Sequence, residues 1–364
     1  MNITIVAGAR PNFMKIAPII NVLKRKKREG YDLNFRLVHT GQHYDNSLSG
    51  AFFEELGIPY PDVNLEVKSG TQAEQTGAIM IGFEKELQKN PSDLVLVVGD
   101  VTSTMACTLV AKKSGIKVAH VEAGIRSGDM KMPEEINRIV TDSLTDYFFT
   151  TSKLASNNLI KLGVDSNQVF FVGNVMIDTL KTHESRFKQP EIWKSLGLKQ
   201  KHYFVMTLHR PSNVDEAQNI EAILKQISSL SKDYPIVFPV HPRTKKLLQS
   251  LNLSYKNLYY TEPLGYLEFN FLVKHAFGVI TDSGGISEET TIMNVPCVTL
   301  RENTERPETC EIGTNILVGK DPIKIENAFK TLFSGTWKQA QVPALWDGHA
   351  ADRIISQLIK TYHL

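Results

Sequence analysis

The sequence predicts an α/β protein of two doubly wound domains with parallel sheets, and three observations predict it. Apolar runs without period-2 alternation recur at residues 3–7, 94–98, 118–121, 147–150, 169–172, 204–208, 236–240 and 279–281. Amphipathic stretches separate them, so each run reads as a strand buried on both faces of a parallel sheet. The chain has 364 residues, more than one core usually organises. The pattern also breaks at Gly173-Asn174 and restarts after a polar, strandless stretch at 181–200 that carries Pro190. The expected domains are residues 1–172 with a returning C-terminal helix at 350–364, and residues 173–349.

Composition narrows the function classes. The formal charge is +2, too near neutral for a nucleic-acid surface, and 42% hydrophobic with 22% charged residues suits packed cores. The one basic cluster, Lys24-Arg25-Lys26-Lys27-Arg28, falls where a helix ends, and cations favour that end. Three cysteines without paired spacing argue against disulfides and a cysteine zinc site, and Cys297 in an apolar strand reads as a core thiol. No apolar run has membrane-spanning length, and the N-terminus reads as a first strand rather than a signal peptide, so a cytoplasmic protein is expected. No metal-ligand spacing, P-loop or dinucleotide fingerprint occurs, so neither metal nor cofactor is expected.

Taken in order, the strands end in chemistry. The first ends in Gly8-Ala9-Arg10-Pro11-Asn12-Phe13-Met14-Lys15, which puts Arg10 and Lys15 where open α/β sheets bind ligands, free to meet phosphate. Pro18 is expected in the first turn of the following helix rather than its interior. The second strand, 34–40, leads to Gly41-Gln42-His43-Tyr44. Thr71 and Glu74 have capping-box spacing and predict a helix start. The strand at 94–98 ends in Gly99-Asp100, the next in Glu122-Ala123-Gly124, and Pro133-Glu134-Glu135 opens a helix beyond it. Each acid alone could serve as a helix cap. Three at neighbouring loops of one sheet point to acid–base work.

In the second half the strand at 203–208 ends in His209-Arg210-Pro211. The strand before Thr281-Asp282-Ser283-Gly284-Gly285-Ile286 then leads through glycines into a helix. Backbone N–H groups at a helix start suit a phosphate, and glycine lets it approach. Glu289, one turn into that helix, could accept hydrogen bonds from ribose hydroxyls. The turn-like stretch Arg301-Glu302-Asn303-Thr304-Glu305-Arg306-Pro307-Glu308 follows, and an amphipathic helix at about 350–362 closes the chain. A metal-independent enzyme acting on a nucleotide-linked substrate is the inference from residues.

The chain resembles the non-hydrolysing UDP-N-acetylglucosamine 2-epimerases nearly end to end. The resemblance is carried by Gly8-Ala9-Arg10-Pro11 with Lys15, Thr40-Gly41-Gln42-His43, Gly99-Asp100 with Thr102-Ser103-Thr104, His120-Val121-Glu122-Ala123-Gly124, Pro133 to Arg138, Thr281 to Glu289 and Thr304-Glu305-Arg306-Pro307-Glu308. It implies two Rossmann-like domains facing across a cleft, the glycosyltransferase-B-like arrangement, as a homodimer. It implies interconversion of UDP-N-acetylglucosamine and UDP-N-acetylmannosamine by elimination and re-addition of UDP through a 2-acetamidoglucal. Asp100, Glu122 and Glu134 are then the acid–base carboxylates, with the C2 base left open among them. His209 assists near the phosphate or as a proton shuttle. Arg10, Lys15, Ser283, Gly284, Gly285 and Arg306 hold UDP, Glu289 the ribose, and Phe269 lines the uracil pocket. Gln42 and His43 match a regulatory substrate site, although Tyr44 stands where regulated relatives have arginine. A hydrolysing relative and a glycosyltransferase of the same fold are the alternatives, and a non-catalytic sensor does not need three acids.

Overall fold

The computed structural model describes residues 1–41, 53–240, 242–251 and 253–364. Gln42 and His43 lie outside the described residues, as does the side chain of Arg10. The described strands form two wholly parallel sheets. The first contains β1 (Asn2–Ala7), β2 (Asn34–His39), β3 (Val63–Asn64), β4 (Leu94–Val98), β5 (Lys117–Val121), β6 (Tyr147–Thr150) and β7 (Val169–Phe171), in the order β3-β2-β1-β4-β5-β6-β7. The second contains β8 (Phe204–Thr207), β9 (Ile236–Pro239), β10 (Leu258–Thr261), β11 (Gly278–Thr281), β12 (Cys297–Thr299) and β13 (Asn315–Leu317), in the order β10-β9-β8-β11-β12-β13. Each sheet therefore reverses its strand order once, between β1 and β4 and between β8 and β11. Ligands of open parallel sheets sit at such reversals.

Burial explains the non-alternating strands. Phe204 and Met206 join one buried cluster with Ile220, Ile236 and Phe329, while Tyr203 and Val205 join another with Val237, Leu272 and Val279. Successive side chains face opposite sides of the sheet, and helices cover both sides, so every position must be apolar. Cys107 and Cys297 are buried, unbridged thiols.

The chain divides into two compact units, Met1–Thr182 with Ala344–Leu364, and His183–Pro343. The division falls one helix beyond 173–174 because Val175–His183 is tied to the first unit. Its Asp178 accepts hydrogen bonds from the backbone N–H groups of Ala350 (3.1 Å) and Ala351 (2.7 Å), at the start of the last helix, Ala350–Tyr362. Between these, Trp346 is buried and its Nε1 donates to the Thr151 carbonyl at 3.0 Å. No helix among the described residues is long and apolar enough to cross a membrane.

One local expectation is corrected. Pro18 lies inside the helix Arg10–Arg28, whose first turn holds Pro11 instead. A proline leaves the carbonyl four residues earlier without its helical donor, here that of Met14. The Thr179 hydroxyl donates to that carbonyl at 2.6 Å, so a residue from a distant helix supplies the missing bond. The capping box stands as read: Thr71 Oγ1 accepts from the Glu74 N–H, and Glu74 Oε2 from the Thr71 N–H at 2.8 Å.

Candidate active site

In the first unit the strand reversal gathers the turns after β1, β4 and β5. Asn12 shapes the first, its Oδ1 accepting from the N–H groups of Gly8 (3.1 Å) and Ala9 (3.0 Å). Gly8 must lack a side chain, since a Cβ there would stand 2.2 Å from Ser103 Oγ. Lys15 is not free for a phosphate in this structure, because its Nζ lies 2.7 Å from Glu122 Oε2 and both side chains are largely buried. The Gly99 turn closes on the same pair. Gly99 has φ +67°, and a Cβ on it would come within 2.9 Å of Lys15 Nζ and 3.8 Å of Glu122 Oε2. Glu122 itself holds φ +72°, a left-handed backbone that a non-glycine residue adopts only where its surroundings impose it.

Asp100 is not the N-cap residue of the helix that follows it. The N-cap of the next helix, Thr102–Lys113, is Val101. Asp100 Oδ2 instead accepts from Arg138 Nε at 3.0 Å and Nη2 at 2.5 Å, and its carbonyl accepts from Asn137 at 2.8 Å. Arg138 also donates to buried Glu135 at 2.6 Å. Burial pushes the Glu135 carboxyl up, but the N–H groups of Ser127 and Gly128 and the Arg138 guanidinium outweigh it and hold the carboxyl below its usual value. The two acids that open helix Pro133–Leu144 thus divide. Glu135 is committed to the scaffold, whereas Glu134 is half-buried with no hydrogen bond or ion pair among the described residues.

The second unit places His209 after β8 and Asp282 after β11, on either side of its own reversal. Asp282 Oδ1 lies 2.7 Å from His209 Nδ1. The same buried carboxylate accepts from the backbone N–H groups of His209 (3.0 Å) and Arg210 (2.9 Å) and from Asn213 Nδ2 (3.1 Å). Burial raises the Asp282 carboxyl, and these donors more than reverse the shift, His209 first among them. A carboxylate on Nδ1 fixes the ring and leaves Nε2 for other chemistry.

Ser283 begins the helix Gly284–Ile292 and makes no side-chain cap, so the first N–H groups are not taken by it. A Cβ on Gly284 would be 2.9 Å from Glu305 Oε1 and 3.6 Å from Arg301 Nη1. Arg301 is bound to Glu305 at 2.7 Å through Nη2, while its Nη1 is buried without a partner among the described residues. A helix start and a guanidinium N–H are groups that can hold an anion, here with the Glu305 carboxylate beside them. Arg306 is 7% exposed and its Nε is engaged by Glu288. Glu289 lies within the unit, accepting from the Tyr266 hydroxyl at 2.9 Å, and burial pushes its carboxyl up to about 7. Phe269 is half-buried on the helix Tyr266–His275, packed against the cluster of Leu272 and Val279.

Sequence reasoning missed the roles of the residues that hold these groups: Asn12, Arg138, Asp282 and Arg301. Asp282 and Arg301 stood inside recognised stretches, and their strand-end position was the signal. Asn12 and Arg138 also lay in such stretches, but Arg138 is mid-helix, and nothing local marks which carboxylates it will hold.

The fold and these groups define a Rossmann-type protein of two parallel-sheet units, each with polar chemistry at its strand reversal. A family model described as UDP-N-acetylglucosamine 2-epimerase matches residues 25–359. A UDP-N-acetylglucosamine 2-epimerase of Methanocaldococcus jannaschii is 42% identical over 368 residues, covering 98% of each chain. A crystal structure of the M. jannaschii UDP-GlcNAc 2-epimerase in complex with UDP-GlcNAc and UDP matches at TM-score 0.89 and 41% identity, covering 100% of both chains. A UDP-2,3-diacetamido-2,3-dideoxy-D-glucuronate 2-epimerase of Pseudomonas aeruginosa is 37% identical, covering 99% of this chain and 100% of that one. The chain belongs to the UDP-N-acetylglucosamine 2-epimerase family, and it is an epimerase with that family's glycosyltransferase-B-like fold.

Proposed function

We propose that the protein interconverts UDP-N-acetylglucosamine and UDP-N-acetylmannosamine by eliminating and re-adding UDP. The observation that carries this reading is the pair of carboxylates on neighbouring strand ends, Asp100 after β4 and Glu122 after β5, each with its own cation. The C2 proton is a very weak acid, so a carboxylate takes it only if the bond from C1 to the diphosphate oxygen breaks with it. The electron pair of the C2–H bond becomes the C1–C2 double bond of a 2-acetamidoglucal, and UDP leaves with the pair of the C1–O bond. Return of UDP to C1, with a proton delivered to C2 from the opposite face, gives the epimer. Two proton-transfer sites are needed, and Asp100, Glu122 and Glu134 are the three groups that supply them.

In this reading Arg10, Lys15, Ser283, Gly284, Gly285, Arg301 and Arg306 balance charge on the departing diphosphate. His209, held by Asp282, donates to it or shuttles a proton. Glu289 takes the ribose hydroxyls and Phe269 lines the uracil. The Pseudomonas relative gives a second reading of the sugar, because its name attaches a different UDP-sugar to a chain 37% identical to this one.

Incubation with UDP-N-acetylglucosamine in deuterium oxide tests this directly. Deuterium is expected at C2 of both UDP-sugars, with no net release of UDP. Free N-acetylmannosamine with accumulating UDP means hydrolysis instead. No exchange with this sugar, but exchange with the diacetamido glucuronate, moves the substrate to the second reading, and no exchange with either overturns the proposal.

A further inference from the structure

His120 is named by the motif His120-Val121-Glu122-Ala123-Gly124, yet the reaction above gives it no part. It sits in β5 opposite Val97 of β4 and is fully buried, so it cannot touch a substrate. Both ring nitrogens are engaged: Nε2 lies 2.8 Å from the Gly99 carbonyl and Nδ1 lies 2.7 Å from Asp142 Oδ1. A carbonyl oxygen can only accept. Asp142 is also an acceptor, because burial raises its carboxyl but His120 and Arg126 together hold it below the usual value. The ring thus bridges the Gly99 carbonyl and the Asp142 carboxylate with its two nitrogens.

We infer that His120 is a positioning residue for the epimerisation, a buried bridge that locks the Asp100 turn to the Glu122 turn. The inference rests on the reading that these two carboxylates carry the proton transfers. The lock has two arms. On one side Gly99 is gripped twice, its N–H donating to the Val121 carbonyl at 3.0 Å while its carbonyl accepts from His120. Asp100 is the next residue, so its place follows from Gly99. On the other side Asp142 Oδ2 accepts from the Gly124 N–H (3.1 Å) and from Arg126 Nη1 (2.6 Å). Asp142 therefore fastens residues 120, 124 and 126, on both sides of Glu122. Within that brace Glu122 keeps its left-handed backbone, with its N–H on the Phe149 carbonyl at 3.0 Å. Gly124 cannot yield either, since a Cβ on it would lie 2.2 Å from the Ala155 carbonyl oxygen.

A histidine that merely fills the core would not need a polar partner on each ring nitrogen. Removing it frees the Gly99 carbonyl and leaves Asp142 with Arg126 and the Gly124 N–H, so both turns can drift while the apolar sheet remains. A misplacement of about an ångström costs a proton transfer on the order of 10²-fold.

The test is His120→Gln, assayed with UDP-N-acetylglucosamine beside wild type. Expected are a kcat reduced about 10- to 100-fold, a KM and a UDP Kd within about threefold, and slower deuterium entry at C2. Asp142→Asn should give a similar loss, and the double variant little more than either, because both break one network. Wild-type kcat in a folded His120→Gln protein overturns the inference, and so does an equal loss of kcat and UDP affinity. Nitrogen-15 NMR of wild-type protein reads the lock without turnover, even should the variants fail to fold. One histidine should show a slowly exchanging ring N–H with its other ring nitrogen also hydrogen-bonded, and a freely exchanging ring N–H on every buried histidine sinks the idea. If wild type shows that signature but no epimerisation, the reaction assignment fails and the lock does not.

Discussion

The two strand reversals share a topology and differ in charge. At the reversal between β1 and β4 the first unit collects carboxylates, and two of them meet a cation: Lys15 faces Glu122 and Arg138 faces Asp100. Between β8 and β11 the second unit has one strand-end carboxylate, Asp282, turned inward onto His209 and backbone N–H groups. What remains there is a helix start, with Arg301 Nη1 and the paired Glu305 carboxylate beside Gly284. In the proposed reaction the same connection of strands serves proton transfer in one unit and anion binding in the other. Side chains at the reversal set the chemistry, and the sheet only gives them a place.

The largest effect that can break this comparison comes from Glu122→Gln. It keeps the shape and removes the base, so kcat should fall about 10²- to 10⁴-fold while UDP affinity changes little. Calorimetric titration with UDP beside the steady-state assay separates the two. If affinity fell as far as rate, the first reversal would be an anion site after all.

Arg301→Gln probes the other side and should do the reverse. Losing a charged N–H to a diphosphate costs about 2 kcal/mol, roughly 30-fold in UDP Kd. Turnover at saturating sugar should fall much less. Unchanged UDP binding would mean that Arg301 serves the Glu305 pairing alone.

How much of this could be read from the chain follows from how local each determinant is. Strands of four or more apolar residues, such as β4, were legible because burial on both faces leaves no other composition. β3 has two residues and β13 three, too few for any periodicity. The glycine-led helix start was legible because its function lies in the backbone. The pairings were not. Lys15 and Glu122 are 107 residues apart, and Arg138 reaches Asp100 over 38. Nothing near Lys15 says that a carboxylate will claim it, and nothing near Pro18 says that Thr179 will satisfy its helix. Such partners are fixed only when separate elements meet at one sheet edge.

The smallest effect sharpens the second reversal through pH. Burial raises the Glu289 carboxyl from 4.5 to about 7, with the Tyr266 hydroxyl opposing the shift and Glu288 adding to it. The sign is fixed by which form binds. A carboxylate accepts from two ribose hydroxyls, whereas the acid must give up one acceptor position to its own proton. Binding that needs the ionised form is therefore full above pH 7 and lost as the pH falls through it. UDP affinity at pH 6 should be up to about tenfold below that at pH 8, since a tenth of the group remains ionised one unit below its pKa. The diphosphate titrates in the same range, with a second pKa near 6, so the measurement is the difference between wild type and Glu289→Gln. A slope common to both proteins assigns the effect to the ligand and removes Glu289 from the ribose. The same shift acts on stability. The folded chain holds a proton that the unfolded chain releases between about pH 4.5 and 7, so the group opposes folding increasingly as pH rises through that window. Glu289→Gln should then gain stability relative to wild type from pH 5 to 8, a change that thermal midpoints measured without UDP would register.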